Sequence, residues 1–174
     1  SVIDTYLDDQ NPGTLDRVCV AAAGPVSGDR AEMTNLDWVI DARDIGSATG
    51  STKVGVINDL QAQGYSLHML DKNDTRCVLA GTHQVHDNDT KIVIGMGTGF
   101  NAAPVFHTSA GRYVPPSEIG HARIAVASAE QAKIVAHIQS TEGFTSNEHV
   151  LAGRGLERLD HAINQRQDRR AADI

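Results

Sequence analysis

The chain has 174 residues, 40% of them hydrophobic, which is enough to build the core of one large or two small domains. Its formal net charge of -7 and its 4% content of aromatic residues exclude the basic surface and the stacking platform of nucleic-acid-binding proteins, and a basic patch for an anionic membrane as well. Cys19 and Cys77 are isolated, and the longest apolar run, Val18 to Ala23, is far too short to cross a bilayer. We therefore expect a soluble, cytoplasmic protein without disulfides and with neither a nucleic-acid nor a membrane partner.

The first half of the chain predicts alternating helices and strands, as in an α/β fold. In chain order, the predicted elements are a helix over 1–10, a buried strand over 17–23, a short partner strand over 30–35, a helix over 41–49 ended by Gly50, a strand over 54–58 and a helix over 60–70. We expect Trp38, the single tryptophan, to anchor the core. The polar connection over 71–75 indicates a boundary between one domain over 1–70 and another over 71–174.

The strand over 54–58 is the first candidate for a functional site. Its residues are apolar and β-branched, as in a strand buried on both faces, and the run ends at Asn58 and Asp59. Ligands of open α/β sheets bind at the carboxyl ends of strands, so Asp59 is a candidate general base. The pattern leaves open an alternative in which Asp59 caps the following helix.

The second half predicts a glycine-rich β-hairpin followed by helices. The predicted elements are strands over 91–96, 103–107 and 112–114, and helices over 128–140, from 145 to a break at 153–155, and over 156–163. The turn Gly97-Thr98-Gly99 lets backbone N–H groups approach a phosphate, and Thr98 adds a hydroxyl. An ordinary hairpin turn contains the same residues, so the pattern alone allows both interpretations.

Further polar residues lie in the second half. Glu118 and His121 project from a proline-stiffened loop, as site residues or simply as a hydrogen-bonded pair. Glu148 has the spacing of a capping-box partner of Thr145.

His83 and His86 have a spacing that can suit a metal, but they lie in a polar, Asp-rich loop. We interpret that loop as a solvated surface and predict no metal site.

Several motifs follow one another in a fixed order over residues 17–160. They are Ala22-Ala23-Gly24-Pro25-Val26, Met33-Thr34-Asn35-Leu36 with Trp38, Ile57-Asn58-Asp59, Gly97-Thr98-Gly99, Pro116-Ser117-Glu118-Ile119-Gly120-His121, Glu148 with Val150-Leu151, and Gly153-Arg154-Gly155-Leu156. This order and spacing resemble bacterial glucokinase, of the hexokinase and actin-like ATPase superfamily. The resemblance implies an incomplete α/β, actin-like (ribonuclease H-like) two-domain sugar kinase fold. Residues 1–70 would be the remainder of the small domain and residues 71–174 the N-terminal part of the large one.

The resemblance also implies ATP-dependent phosphorylation of glucose at its 6-hydroxyl, the first step of glycolysis, with ATP and Mg²⁺ bound together. Asp59 would be the catalytic base, and Asn58 would orient the sugar. Glu118, His121 and Glu148 would hydrogen-bond sugar hydroxyls. Gly97, Thr98 and Gly99 would meet the phosphates of ATP.

The sequence departs from the family pattern in three ways. Phe100-Asn101 replaces Leu-Gly at the end of the phosphate loop, and Ile119 replaces a second glycine in the sugar loop. The N-terminal Asp-Gly-Gly-Thr loop and the C-terminal nucleotide-binding part have no counterpart. We expect a chain shortened at both ends, whose parent is a kinase and which alone binds sugar poorly and ATP worse.

An alternative hypothesis is a non-catalytic sugar-binding or interaction remnant of a glucokinase. A repressor of the related type is not favoured, because no helix-turn-helix precedes the sugar motifs. The oligomeric state, a homodimer included, is left open.

Overall fold

The computed structural model describes residues 2–33, 36–84, 86 and 88–164, and the chain divides into two units, Ser1–Thr82 and His83–Ile174. The elements of the first unit are α1 (Val2–Gln10), β1 (Val18–Ala22), β2 (Val26–Ser27), β3 (Arg30–Glu32), β4 (Val39–Asp41), α2 (Ala42–Thr49), β5 (Val54–Asn58) and α3 (Asp59–Ser66). Strands β1 and β5 pair in parallel, and β2, β3 and β4 form an antiparallel sheet.

The parallel pair β1–β5 positions the candidate base. Its register runs from Val18 opposite Val54 to Ala22 opposite Asn58, so both strands end together. The core of this unit consists of buried Ala22, Ala31, Ala42, Ile45 and Val56. The predicted strand is confirmed, but Val56 is its one buried residue and the others are half-buried. Among the described residues, β5 pairs with β1 alone.

Helix α2 forms where local signals predict it. Asp41 is its N-cap, and Oδ1 of Asp41 accepts a hydrogen bond from the N–H of Arg43 at 2.9 Å. Gly50 ends the helix in the left-handed conformation, with φ 71°, which an L side chain rarely adopts. The predicted stop at Gly50 is therefore confirmed.

Other predictions for this unit need correction. Trp38 is 57% exposed, so the prediction that it anchors the core is wrong. The partner strand is confirmed only as Arg30–Glu32, and it pairs with β2 and β4 rather than with β1. Thr34 and Asn35, predicted at its end, lie outside the described residues. The helix predicted over 60–70 ends at Ser66.

The second unit begins with an antiparallel meander and continues with helices. Its elements are β6 (Lys91–Met96), β7 (Phe100–Thr108), β8 (Gly111–Tyr113), a short 3₁₀ helix (Ile119–His121), α4 (Ala129–Glu142), α5 (Asn147–Leu151) and α6 (Gly153–Asn164). The β6–β7 register, with Met96 opposite Phe100, confirms the predicted hairpin and places Gly97–Gly99 in its turn.

The corner between α5 and α6 differs from its prediction. Ser146, not Thr145, caps α5, and its capping-box partner is His149. The proposed capping role of Glu148 is therefore wrong, because the helix starts one residue later than the pattern indicates. The glycines of 153–155 begin α6 instead of separating two helices, and the helix break lies at Ala152.

Several findings concern the chain between and around the units. Every described residue from 68 to 90 is exposed, and Cys19 and Cys77 are free and exposed. Within the described ranges, no helix combines the length and apolar character needed to cross a bilayer. The division at 82 and 83 falls within the exposed stretch, and the assignment of small and large domains stays a prediction.

Candidate functional site

Asn58 is fixed at the point where β5 passes into α3. It is the N-cap of α3: its Oδ1 accepts from the N–H of Leu60 at 2.9 Å, and its own N–H donates to Oε1 of Gln61 at 3.1 Å. Its Nδ2 donates to the carbonyl oxygen of Gly24, just beyond the end of β1, at 3.0 Å. A Cβ at Gly24 would lie 2.7 Å from the carbonyl oxygen of Glu32, so only glycine fits there. The carboxamide of Asn58 thus joins the carboxyl ends of the two parallel strands.

Asp59 is the first residue of α3 and is exposed. Its Oδ1 accepts from the N–H of Leu60 at 2.8 Å, whereas Oδ2 makes no hydrogen bond to the described residues. The helix cap is Asn58, so the alternative that made Asp59 the cap is wrong, although both side chains share the Leu60 N–H. A carboxylate with one bonded and one open oxygen is held in orientation and can still accept a proton from a ligand.

The Gly97–Gly99 turn presents open backbone donors. The N–H of Gly97 donates to the carbonyl oxygen of Gly99 at 2.9 Å, while the N–H groups of Thr98 and Gly99 make no hydrogen bond to the described residues. All three residues are exposed, and nothing lies within 4 Å of the position that a Cβ of Gly97 would take. Free N–H groups on an exposed turn suit an anion such as a phosphate.

Glu148 lies against this turn. Its Oε2 accepts a hydrogen bond from the N–H of Phe100 at 3.1 Å, and it would be 2.9 Å from a Cβ at Gly99. Beyond the end of α5, the N–H of Gly153 donates to the carbonyl oxygen of Gly97 at 2.8 Å. The corner between α5 and α6 therefore holds both ends of the turn, and the structure brings two of the predicted site segments together.

The loop with Glu118 and His121 is ordered through its backbone. The N–H of His121 donates to the carbonyl oxygen of Glu118 at 3.0 Å, and both side chains are exposed. No hydrogen bond joins the two side chains, so the interpretation of a simple side-chain pair is wrong. From α5, Nδ2 of Asn147 donates to the carbonyl oxygen of Ile119 at 2.8 Å.

The predicted site residues are distributed over both units. Asn58 and Asp59 belong to the first unit, and the other predicted residues belong to the second. Within the second unit, hydrogen bonds connect the glycine turn, Glu148 and the 118–121 loop through intermediate residues. Sequence reasoning missed Asn147 as one of these links, and it treated Asn101 only as a departure from the family pattern. The single available signal for Asn147 was its position directly before Glu148.

No protein-held metal site is visible in the described part of the chain, since no three His, Cys, Asp or Glu side chains are grouped as ligands there. His83 and His86 are exposed, as predicted for a solvated loop. Mg²⁺ commonly binds through one or two carboxylates together with substrate phosphates. The described residues therefore offer no group of ligands that would form a protein cage for Mg²⁺.

Comparison with known proteins identifies the family. A sequence model described as Glucokinase matches residues 1–173. The chain belongs to the glucokinase family. The glucokinase of Chelativorans sp. (strain BNC1) is 31% identical over 170 residues, which are 98% of this chain and 49% of that protein. The glucokinase of Agrobacterium fabrum (strain C58 / ATCC 33970) is 33% identical over 144 residues, 83% of this chain and 42% of that protein. This glucokinase-family chain thus spans about half the length of the curated relatives it matches.

Solved structures agree with the family. A glucokinase from an Antarctic psychrotroph matches 99% of this chain and 54% of its own, with a TM-score of 0.84 and 30% identity. A glucokinase from Balamuthia mandrillaris in complex with glucose matches 98% of this chain and 55% of its own, with a TM-score of 0.69 and 21% identity, which shows the fold alone. The predicted α/β sugar kinase fold and the resemblance to glucokinase are both confirmed, and the glucokinase-family fold is covered over about half of its length.

Proposed function

We propose that this glucokinase-family chain takes part in the ATP-dependent phosphorylation of glucose at its 6-hydroxyl, giving glucose 6-phosphate in the first step of glycolysis. The family match over residues 1–173 supports a kinase of this class. The observation that carries the proposal is the placement of Asn58 and Asp59 at the carboxyl end of β5, with Oδ2 of Asp59 open. Ligands of open α/β sheets bind at such strand ends.

The chemistry requires a proton acceptor beside the sugar. As the 6-oxygen of glucose forms a bond to the γ-phosphorus of ATP, the bond from that phosphorus to the ADP oxygen breaks and the hydroxyl proton must leave. In the proposal, Oδ2 of Asp59 accepts this proton, while Oδ1 stays bonded to the N–H of Leu60. Asn58, fixed by its bonds to Gly24 and Leu60, orients the sugar.

The remaining proposed ligands come from the second unit. Glu118, His121 and Glu148 offer carboxylate and imidazole groups that can hydrogen-bond several neutral hydroxyls and thereby favour one sugar stereochemistry. Glu148 is half-buried and already oriented by the N–H of Phe100, which leaves its other oxygen for a hydroxyl.

The open N–H groups of Thr98 and Gly99 are the proposed contacts of the ATP phosphates. Mg²⁺ enters as part of the substrate MgATP, where it neutralises charge on the phosphate oxygens.

We also infer a cytoplasmic location. The two cysteines are free and exposed, which is compatible with a reducing compartment.

The decisive experiment combines binding and turnover for the 174-residue chain. Glucose is titrated calorimetrically, with galactose as the competing sugar, and glucose-dependent ADP formation is followed at high MgATP. Asp59→Asn removes the proton acceptor but keeps the shape, so we expect turnover to fall by about 10²- to 10⁴-fold. Asp59→Ala should in addition weaken glucose binding.

The matched control is Asp9→Asn, a change of an exposed carboxylate on α1, which should alter neither quantity. Glucose binding without ADP formation would contradict turnover by the 174-residue chain itself and support a sugar-binding role. Absence of heat from a chain that is folded by circular dichroism would contradict both.

A further inference from the structure

Asn101 is the second residue of β7 and lies opposite Gly95 in the hairpin, two residues after the glycine turn. Its half-buried side chain uses both ends of the carboxamide. Nδ2 donates to the carbonyl oxygen of Ser117 at 2.5 Å, with a longer contact of 3.5 Å to Oε2 of Glu118. Oδ1 accepts from the N–H of Gly120 at 3.4 Å and from the N–H of Ala102 at 2.9 Å. One side chain thus reaches three positions of the loop that carries Glu118.

The loop lies directly on the backbone of this strand. A Cβ at Gly120 would be 1.9 Å from the carbonyl oxygen of Phe100, so no larger residue fits without displacing the loop. On the other side, Asn147 donates through Nδ2 to the carbonyl oxygen of Ile119 at 2.8 Å and through its N–H to the carbonyl oxygen of Ala122 at 2.9 Å. The loop backbone is therefore held from both sides.

In contrast to the loop backbone, the side chain of Glu118 is exposed and is restrained by few hydrogen bonds. Its backbone conformation is irregular, with φ -127° and ψ 42°, and it makes no capping hydrogen bond. Among the described residues, the only hydrogen-bonding partner of its carboxylate is Nδ2 of Asn101. Glutamate loses much rotamer freedom when it is ordered, so a side chain oriented in advance binds a ligand better than a free one.

We propose that Asn101 is a positioning residue for sugar binding: its Nδ2 group fixes the Ser117 carbonyl and orients the Glu118 carboxylate toward a sugar hydroxyl. This inference rests on the proposed function, since it requires Glu118 to contact the sugar. It assigns a role to a position at which this chain departs from the glycine of the family pattern. The effect of Asn101 is exerted through Glu118 and involves no contact with the reacting atoms.

Two substitutions separate orientation of Glu118 from support of the loop. Asn101→Ala removes both ends of the carboxamide. Asn101→Asp keeps an oxygen that can accept from Gly120, but it replaces the Nδ2 donor with an oxygen and so places a second carboxylate beside that of Glu118. We expect each variant to weaken glucose binding about tenfold, because each loses the charge-assisted contact from Nδ2 to the Glu118 carboxylate and with it the orientation of that carboxylate. Amide hydrogen exchange at Gly120 should accelerate more in Asn101→Ala than in Asn101→Asp, because only Asp keeps an oxygen that accepts from the Gly120 N–H. Asn73→Ala, an exposed site in the first unit, is the matched control and should change neither measurement.

Each result decides between explanations. If Asn101→Ala or Asn101→Asp bound glucose as tightly as the unaltered chain, the positioning role alone would be overturned. Lost affinity in Asn101→Asp together with exchange at Gly120 as fast as in Asn101→Ala would show that Asn101 only supports the loop, which also overturns the positioning role. Absence of glucose binding by the unaltered chain would instead overturn the proposed function, and this inference with it.

Discussion

Asp41 shows how one side chain can combine a helix cap with an ion pair. Its Oδ1 accepts from the N–H of Arg43, and its Oδ2 accepts from Nη2 of Arg43 at 2.9 Å. These side-chain and backbone hydrogen bonds to Arg43 lower the pKa of Asp41 from 3.8 to about 2. The local sequence predicts the helix start, whereas the ion pair depends on side-chain conformation, which the sequence pattern does not specify.

The shifted pKa makes a prediction about acid stability. Because the folded-state pKa is lowered, the carboxylate of Asp41 stabilises the fold above the unfolded-state pKa near 3.8, and this contribution is lost as the pH falls toward about 2. Asp41→Asn keeps a capping oxygen but lacks the charge. Its free energy of unfolding should therefore be lower than that of the unaltered chain at pH 5, and the two should converge between about pH 4 and pH 2, as measured by urea denaturation. Asp44→Asn, which removes a neighbouring exposed carboxylate on the same helix, is the charge-matched control; equal convergence in that variant would contradict the assignment to Asp41.

Trp38 illustrates a limit of reasoning from residue type. Tryptophan is usually well buried, yet Trp38 is 57% exposed, as is its neighbour Val39 at 50%. Burial depends on which elements cover a residue, and the short strands β2 to β4 leave this side uncovered within the described residues. Composition alone cannot supply that information.

At the scale of elements, local sequence signals predict where helices begin and end, but they do not predict the contacts between elements. Asp41, Gly50 and Ser128 mark helix ends in the sequence and in the structure. The glycines at 153 and 155 were predicted to break a helix, but a Cβ at Gly155 would lie 2.4 Å from the carbonyl carbon of Val150. Glycine is needed there so that α6 can approach α5, and sequence reasoning about helix breakers has no access to such an approach.

Gly155→Ala should consequently destabilise the second unit. The backbone of Val150 cannot move away as a flexible side chain would, so the overlap outweighs the roughly 1 kcal/mol gain of alanine over glycine in helix propensity. We expect a net loss of about 1 to 3 kcal/mol in the free energy of unfolding, measured by urea denaturation. Gly55→Ala is the control, because nothing lies within 4 Å of its Cβ position. An equal loss in both variants would contradict the role of the α5–α6 contact.

At the scale of the whole chain, the order of motifs identified the family although each motif alone was weak. The motif order predicts that Asp59, Glu118 and Glu148 are site residues, and their roles stay predictions. The hydrogen bonds that orient Glu118 and Glu148 were not predictable, because they join residues 17 and 48 positions apart in sequence. Such contacts depend on the tertiary path of the chain and leave no periodic signal in the sequence.

The division into two units predicts a pattern of proteolysis. Lys72 and Arg76 lie in the exposed stretch between residues 68 and 90, whereas Lys91 and Arg112 are half-buried in strands. Of these four sites, short treatment with trypsin should therefore cut Lys72 and Arg76 first, because exposed connections are cleaved before strands. Mass spectrometry of the earliest fragments gives the cleavage positions. Early cuts after Lys91 or Arg112 would show that the second unit opens before the connection is cleaved.

The hydrogen-bonding capacity of Asn58 has a consequence for recognition. A carboxamide has two N–H donors and two acceptor lone pairs, and Asn58 already uses one donor on Gly24 and both lone pairs on the backbone N–H groups of Leu60 and Gln61. One donor remains, and its direction is set by these internal bonds. Asn58 can therefore donate to one hydroxyl oxygen in a fixed direction, and a hydroxyl that must itself donate has to find its acceptor elsewhere.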